Sequence, residues 1–295
     1  MASKRSVGPW TAVPPQTGRR FVITGATSGI GLETARRLVD CGADVVLAVR
    51  NPDKGAEVSR SWGARAVVEQ LDVSDLGSVR AFAARVGAVD VLINNAGVMA
   101  VPFTRTGDGF ELQLATNHLG HFALTNLLLP TLSDRVVVIG SASHRTAELD
   151  VTDLDWSRRG YRPFAAYAAS KLANLLFLAE LQRRLTAAGS TLRATGAHPG
   201  ATATGITGGT GNAMLTRIGD FGHRLVGMPA WQGALPTLYA ATLDLPGNSY
   251  VGPHGPREMR GWPTLVGRSR QASDPDLARR LWAESESLTG VGFPL

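Results

Sequence analysis

The sequence predicts an α/β fold in which a doubly wound parallel sheet is covered by helices on both faces. Short continuous apolar runs alternate with amphipathic helical patterns through the first two thirds of the chain, and this alternation is typical of buried parallel strands. A glycine-rich turn follows the first apolar run. No internal repeat or linker divides the 295-residue sequence, so we expect residues 19–295 to form a single domain.

Six strands are predicted by short apolar runs that lack the alternation of a half-exposed strand. The runs occupy residues 20–24, 44–49, 66–70, 90–94, 135–139 and 192–197. Residues 249–251 are a candidate for a further strand. Runs of this kind indicate strands that are buried on both faces, because such strands have no solvent-facing side.

Helical periodicity follows most of these strands. The predicted helices occupy residues 31–39, 74–86, 110–129, 164–185, 231–242 and 274–288. Ser74 and Asp274 are candidate N-caps, while Pro130 and Gly189 are stop signals. Residues 201–213 are rich in Gly and Thr, which favours a loop beside a binding crevice; an ordinary surface loop is the alternative.

Composition limits the classes of partner. The net charge is +6 and the sequence pI about 10.1, but Lys and Arg are scattered, so we expect no nucleic-acid partner. No apolar run is long enough to cross a bilayer without charges, so we expect no membrane insertion. A single cysteine, Cys41, and the lack of a secretory signal favour a cytoplasmic location. Residues 1–18 are expected to form a polar tail with little order.

The glycine-rich turn, Thr24-Gly-Ala-Thr-Ser-Gly-Ile-Gly31, ends a predicted strand and opens a predicted helix. Free backbone N–H groups and the helix dipole favour a phosphate at such a place. Gly25 permits a tight turn, Gly29 permits close approach of the pyrophosphate, and Gly31 permits helix–strand packing. The predicted phosphate seat of a dinucleotide therefore comprises Gly25, Thr27, Ser28, Gly29, Ile30 and Gly31.

The end of the second predicted strand favours NADP(H) over NAD(H). NAD sites usually place an acidic residue there, to bind the ribose hydroxyls. In this chain Arg50 and Asn51 follow the strand, and Asp44 stands at its opposite end. Arg50 can pair with a 2′-phosphate; the alternative is that it is a solvated charge at the strand end.

Two further strand ends contribute to the predicted cofactor site. Their candidate cofactor-binding residues are Asp72, Val73, Asn94, Ala96 and Gly97. Ligands of open α/β sheets bind beyond the carboxyl ends of the strands, which is where these residues lie. For Asn95 and Gly97, a turn-forming role is the alternative.

Tyr167 and Lys171 are four residues apart in a predicted helix, so they share one face. An ammonium near a tyrosine lowers the pKa of the phenol, which then exchanges a proton with a carbonyl or alcohol oxygen. Ser141 directly follows the fifth predicted strand and is placed to polarise the same oxygen, with Ser143 as the rival. Asn117 interrupts the apolar face of a long helix, which indicates a buried polar role.

The substrate is expected to be an apolar molecule of medium size. Its candidate contacts are Met99, Ser141, Ser143, His144 and Trp231, together with a substrate loop at about residues 201–233. Met214 and Met228 support an apolar site, although packing in a lid or core is the alternative. For His144, a general acid, a pocket-lining side chain and a solvated side chain all remain open. No Cys, His or Asp cluster has metal-ligand spacing, so we expect no metal.

Together these motifs resemble the short-chain dehydrogenase/reductase (SDR) family over residues 19–204. The motifs are Thr24-Gly-x-x-x-Gly-x-Gly31, Asn94-Asn-Ala-Gly97, Asn117, Ser141, Tyr167-x-x-x-Lys171 and His198-Pro-Gly-x-x-x-Thr204. Residues 48–51, 117–122 and 170–176 are similar to the branch of retinol dehydrogenases and protochlorophyllide reductases. Within a C-terminal extension at about residues 252–295, the stretches 258–262 and 288–291 resemble bacterial members of that branch.

The resemblance implies a single Rossmann-like domain with a sheet of about seven strands and a homo-oligomer, dimer or tetramer. It implies Tyr167 as the acid/base and Ser141 as the hydrogen-bond donor to the substrate oxygen. Lys171 would hold the nicotinamide ribose, and Asn117 a water that links Lys171 to solvent. Pro199, Gly200, Thr202 and Thr204 would complete the cofactor site.

The resemblance leaves the reaction open between reduction of a carbonyl and reduction of an activated C=C bond. Some proteins of this fold are non-catalytic dinucleotide sensors that have lost the tyrosine or the lysine, but Tyr167 and Lys171 are both present here. One departure concerns Gly140, which stands where the branch usually has a second serine. Because Ser141 remains, we expect activity to survive this departure.

Overall fold

The computed structural model describes residues 10–202 and 228–295, which form an eight-stranded sheet. The strands are β1 (Arg20–Thr24), β2 (Asp44–Val49), β3 (Ala66–Gln70), β4 (Val89–Asn94), β5 (Leu132–Ile139), β6 (Arg193–Ala197), β7 (Tyr250–Pro253) and β8 (Pro263–Leu265). Their order is β3-β2-β1-β4-β5-β6-β7-β8. All neighbouring strands from β3 to β7 are parallel, so the predicted doubly wound parallel sheet is confirmed.

The sheet has one strand more than the seven expected from the resemblance. The chain turns back after β7, and the His254 N–H donates to the Trp262 carbonyl over 2.9 Å. This return places β8 antiparallel against β7, with Val251 opposite Leu265. The additional strand therefore belongs to the C-terminal extension.

The strand order positions the site. Strands β2 and β3 lie on one side of β1, and β4 to β7 lie on the other. The connections on the two sides of β1 and β4 therefore diverge, and a crevice opens at the carboxyl ends of these two central strands.

Helices cover both faces of the sheet. They are α1 (Gly29–Asp40), α2 (Pro52–Ser59), α3 (Leu76–Arg85), α4 (Leu112–Leu114, a π-helical turn at Ala115–Leu119, and Gly120–Leu128), α5 (Pro163–Ala187), α6 (Ala230–Gly233), α7 (Leu235–Thr242) and α8 (Pro275–Thr289). Alternate residues of β1 face opposite layers. Val22 packs on the side of α3, α4, α5 and α8, whereas Phe21 and Ile23 pack on the side of α1 and α7.

Several predicted helix boundaries are corrected. Helix α3 begins at Leu76, because the Asp75 carboxylate accepts the Ser78 N–H, whereas the Ser74 N–H donates to Asp72 within the preceding turn. The predicted helix at 110–129 begins later, and a π-helical turn divides it. Helix α2 is missing from the sequence-based prediction. It is short and polar, and Asn51 caps it.

The N-terminal segment packs on the domain from Trp10 onward. The ring of Trp10 lies against that of Tyr239, with centroids 5.0 Å apart. Gln16 is buried, and its backbone N–H donates to the Cys41 carbonyl over 2.8 Å. Trp10 and Gln16 therefore pack on the domain, contrary to the expected tail over residues 1–18, and residues 1–9 lie outside the described residues.

The last helix, α8, covers the outer faces of α4 and α5. Trp282 is fully buried there and lies against Phe122 and Phe177, with ring centroids 4.8 and 5.7 Å away. Helix α5 is long and apolar enough to cross a membrane by length and composition, but 78% of its most apolar window is buried inside the protein. Such burial is typical of a core helix, so the helix is weak evidence for a membrane span.

Candidate active site

A cavity of about 830 Å³ opens at the carboxyl ends of the strands. It brings together most of the residues that the sequence predicts for cofactor, catalysis and substrate. Those that line it are Gly25, Thr27, Ser28, Ile30, Gly31, Arg50, Asn51, Asp72, Val73, Ala96, Gly97, Met99, Ser141, Ser143, Tyr167, Lys171, Pro199, Gly200 and Thr202. Gly29, Asn94, Asn117, His144 and Trp231 are not among its described lining residues. Thr204, Met214 and most of the predicted loop lie outside the described residues.

The turn between β1 and α1 is shaped to hold an anion. Gly25 has a φ of +69°, and a Cβ on it would lie 2.9 Å from Ala96 Cα. A Cβ on Gly31 would lie 2.5 Å from the Gly25 carbonyl oxygen. Ser28 caps α1 in an extended conformation without a side-chain hydrogen bond, so the first N–H groups of α1 remain available. A dinucleotide pyrophosphate fits this turn.

Asn95 fastens this turn to the end of β4. Its side-chain amide donates to the Thr24 carbonyl over 2.8 Å. The Thr24 hydroxyl in turn accepts the N–H groups of Asn95 and Ala96, each over 2.9 Å. These contacts agree with the turn-forming role that was the alternative for Asn95.

Asn94 is not among the described residues that line the cavity, and its contact with the cofactor stays a prediction. Its side chain is buried and donates to the Thr125 hydroxyl over 2.8 Å. Successive residues of a strand face opposite sides, so Asn94 points into the helix layer.

The end of β2 presents positive charge to the cavity. Arg50 is exposed and lines it, as predicted, and so does Lys54, which the sequence-based prediction missed. Lys54 lies in the first turn of α2, where its N–H donates to the Asn51 side chain over 3.0 Å. The dipeptide Asn51-Pro52, an N-cap followed by proline, was the signal for this helix.

Ser141, Tyr167 and Lys171 all line the cavity. Ser143 donates to the Ser141 hydroxyl oxygen through its backbone N–H (3.2 Å) and its own hydroxyl (2.9 Å). The Lys171 Nζ donates to the Ile139 carbonyl over 3.1 Å and lies 5.9 Å from the Tyr167 ring centroid.

Burial is the largest cause of the pKa shifts of Tyr167 and Lys171. It raises the pKa of Tyr167, and a hydrogen bond with Ser141 opposes that shift. Burial also lowers the pKa of Lys171 to about 8. The prediction that the ammonium lowers the tyrosine pKa is therefore wrong for the protein alone, because desolvation of the phenolate outweighs the hydrogen bond with Ser141.

Asn117 has the buried polar role that the sequence predicts. It lies in the π-helical turn of α4 and is fully buried. Its amide oxygen accepts the Val98 N–H over 2.8 Å, and its amide nitrogen donates to the Val98 carbonyl and the Ser170 hydroxyl, each over 2.9 Å. Both ends of the side chain are thus engaged. The role of Asn117 toward a water stays a prediction.

Two predicted substrate contacts lie away from the cavity. His144 is 1% exposed; its Nδ1 lies 2.6 Å from the Ser141 carbonyl oxygen, and its Nε2 accepts the Ser269 N–H over 3.1 Å. Both ring nitrogens are therefore occupied, which leaves none for a substrate. Trp231 is half-exposed and lies beside Trp262. It is not among the described residues that line the cavity.

The departure at Gly140 has a structural reason. A Cβ at this position would lie 2.6 Å from the Tyr250 hydroxyl and 3.1 Å from a Leu175 methyl. The buried Tyr250 ring therefore takes the space that a second serine would need.

In residues 10–202 and 228–295, no group of three or more His, Cys, Asp or Glu side chains is arranged to hold a metal ion.

Comparison with known proteins places the chain in a family. A short-chain dehydrogenase family profile matches residues 19–214. Mouse polyprenol dehydrogenase is 41% identical over 300 residues, which cover 95% of this chain and 86% of the relative. Human retinol dehydrogenase 13 is 38% identical, covering 94% of this chain and 86% of the relative.

A solved structure of an uncharacterized protein from Mycobacterium paratuberculosis is also similar. It is 51% identical with a TM-score of 0.86, and the match covers 98% of this chain and 100% of that protein. Sequence and structure therefore agree that the chain belongs to the short-chain dehydrogenase family, oxidoreductases that use nicotinamide dinucleotides, in its retinol dehydrogenase branch.

Proposed function

We propose that the protein is an NADP(H)-dependent oxidoreductase of carbonyl compounds and alcohols, with Tyr167 as the general acid/base. One observation carries the proposal. The Ser141, Tyr167 and Lys171 side chains line the same cavity as the glycine turn between β1 and α1. An anion seat and a proton donor thus open into one space of about 830 Å³, a size typical of a site for small molecules.

The roles of the side chains follow from their contacts. The cofactor, when bound, supplies or accepts the hydride. The Ser141 oxygen already accepts two hydrogen bonds from Ser143, so its own proton is available for Tyr167 or a substrate oxygen. A raised pKa keeps Tyr167 protonated at neutral pH, which suits donation of a proton to the oxygen of a carbonyl that is being reduced.

The basic end of β2 supports selection of NADP(H). Arg50 and Lys54 line the cavity there, and both are exposed. A planar guanidinium suits bidentate pairing with a 2′-phosphate, and a nearby ammonium adds attraction.

An apolar substrate is supported by two observations. Met99 and the exposed Phe164 line the cavity. The names of two similar proteins, polyprenol dehydrogenase and retinol dehydrogenase, refer to alcohols with long hydrocarbon parts.

We further propose a cytoplasmic location, for which the single free Cys41 is the support, and a homo-oligomer.

A panel of apolar aldehydes, ketones and enones tests the proposal, with NADPH and NADH in parallel. We expect NADPH oxidation with formation of an alcohol, and slower oxidation of NADH. A saturated ketone formed from an enone would instead support reduction of the C=C bond. Binding of NADPH without turnover across the panel would support a dinucleotide sensor.

Replacing Arg50 with Asp is expected to weaken NADPH binding by about 10- to 100-fold, since hydrogen bonds between charged groups contribute about 1.5–3 kcal/mol. NADH affinity should change little or improve, because a carboxylate suits free ribose hydroxyls. Titration of nicotinamide fluorescence measures both constants. Arg60→Asp applies the same charge change to an exposed residue outside the cavity lining. Equal losses for the two cofactors would show that Arg50 does not recognise the phosphate.

A further inference from the structure

Three side chains from distant parts of the sequence meet beside the cavity. The Arg145 guanidinium donates to one carboxylate oxygen of Glu258 over 2.8 Å. His198 Nε2 lies 3.1 Å from the other oxygen of Glu258. Arg145 follows β5, His198 follows β6, and Glu258 belongs to the C-terminal extension. The carboxylate therefore links the segments after two neighbouring strands.

The hydrogen bonds fix the proton on the imidazole. The Gly200 N–H donates to His198 Nδ1 over 3.3 Å, so Nδ1 carries no proton. The proton is on Nε2, and His198 donates it to Glu258. Hydrogen bonds from His198 and Arg145 lower the pKa of Glu258. The carboxylate consequently stays charged at neutral pH, and His198, 1% exposed, is held in one orientation.

The backbone around Glu258 is strained. Arg257 and Glu258 have φ values of 53° and 56°, in the left-handed region that costs a non-glycine residue about 1 kcal/mol or more. Two consecutive residues of this kind persist only where surrounding contacts impose them. Strain of this sort is concentrated at functional sites.

The strained turn directly supports the floor of the cavity. The Met259 carbonyl accepts the Ala201 N–H over 2.8 Å. Gly200 has a φ of +68°, and a Cβ on it would lie 2.6 Å from the same Met259 oxygen. Pro199, Gly200, Ala201 and Thr202 all line the cavity. The C-terminal extension thus holds residues 199–202 in two ways. The Met259 backbone carbonyl bonds to Ala201, and the Glu258 carboxylate bonds to His198, which directly precedes Pro199.

We propose that Glu258 is a positioning residue of the active site. It holds the Pro199–Thr202 segment through His198 and the segment after Ser141 through Arg145, so that both keep the geometry that cofactor and substrate need. This role rests on the proposed function. Glu258 touches neither ligand itself, because it is not among the cavity-lining residues.

Kinetics of Glu258→Ala and Glu258→Gln test the role. For the alanine variant we expect kcat/KM for NADPH to fall at least about tenfold, because small displacements of positioned groups have large effects on rate. The glutamine variant keeps one oxygen that accepts the His198 proton but loses the acceptor for Arg145, so it should recover part of that loss. Glu57→Ala removes a carboxylate from an exposed residue outside the cavity lining, and its kcat/KM should match the wild type.

Denaturation midpoints in urea separate positioning from stability. A purely structural Glu258 would change the midpoint of both variants while kcat/KM of the folded enzyme stayed at the wild-type value, and this result overturns the inference. So does an equal kinetic loss in the alanine and glutamine variants. A wild type that neither binds nor oxidises NADPH overturns the proposed function, and the inference with it.

Discussion

Replacing Tyr167 with Phe is expected to reduce kcat for carbonyl reduction by about 10²- to 10⁴-fold, the range typical of a lost general acid. The phenol lines the cavity, and its raised pKa keeps it protonated at neutral pH. Phenylalanine preserves the ring and removes only the proton donor. NADPH affinity should therefore change little, and single-turnover kinetics with saturating NADPH measure the loss directly.

Tyr161→Phe is the matched control for this substitution. Its hydroxyl bonds to Glu111, Gln113 and the Val101 carbonyl, and Tyr161 is not among the residues that line the cavity. The control should lose stability rather than kcat. Turnover of the Tyr167 variant at the wild-type rate would remove Tyr167 from the acid/base role.

The sequence predicts the sheet and the position of the cavity well, for a physical reason. Strands buried on both faces must be continuously apolar, so runs such as 44–49 are visible without tertiary information. The carboxyl ends of parallel strands meet at one edge, so the residues that follow them are brought together by the fold. Residues as distant in sequence as Gly25 and Tyr167 therefore line the same cavity.

Features that depend on tertiary contacts cannot be predicted from local sequence patterns. The π-helical turn of α4 places Asn117 against Val98 and Ser170, which no local pattern encodes. The contact between His198 and Glu258 joins residues 60 positions apart. Helix α2 has only eight residues and contains Pro52 and Gly55, so its periodicity is too weak to detect.

The direction of the Tyr167 pKa shift could not be predicted either, because it also depends on tertiary contacts. A spacing of four residues shows that two side chains share a helix face, but it contains no information on how deeply they are buried. In the folded protein, burial raises the pKa of Tyr167 and lowers that of Lys171. Each group is thereby held in its neutral form over a wider pH range than in water.

Lys171→Met is expected to stabilise the protein while it abolishes catalysis. A pKa lowered from 10.5 to about 8 means that the buried ammonium destabilises the fold at pH 7 by at most about 3 kcal/mol, since one pKa unit corresponds to about 1.4 kcal/mol. Methionine fills similar space without charge but loses the hydrogen bond to the Ile139 carbonyl. The net gain in the free energy of unfolding should be about 1–2 kcal/mol.

The difference in the free energy of unfolding between the Lys171 variant and the wild type should depend on pH. Below pH 8 the lysine is protonated in both the folded and unfolded states, so the full penalty is present. Between about pH 8 and 10.5 the unfolded state binds more protons, and the stability of the wild type rises with pH. The advantage of the methionine variant should therefore shrink across this interval.

Urea denaturation at pH 7 and pH 10 measures both effects, and turnover assays with NADPH accompany it. Lys54→Met is the matched control, because this lysine is exposed and its replacement should change stability by less than about 0.5 kcal/mol. A Lys171 variant less stable than the wild type at pH 7 would mean that the hydrogen bond to Ile139 outweighs the cost of the buried charge. A variant that is more stable yet inactive would show that the buried ammonium is kept for the chemistry of the site at the expense of the stability of the fold.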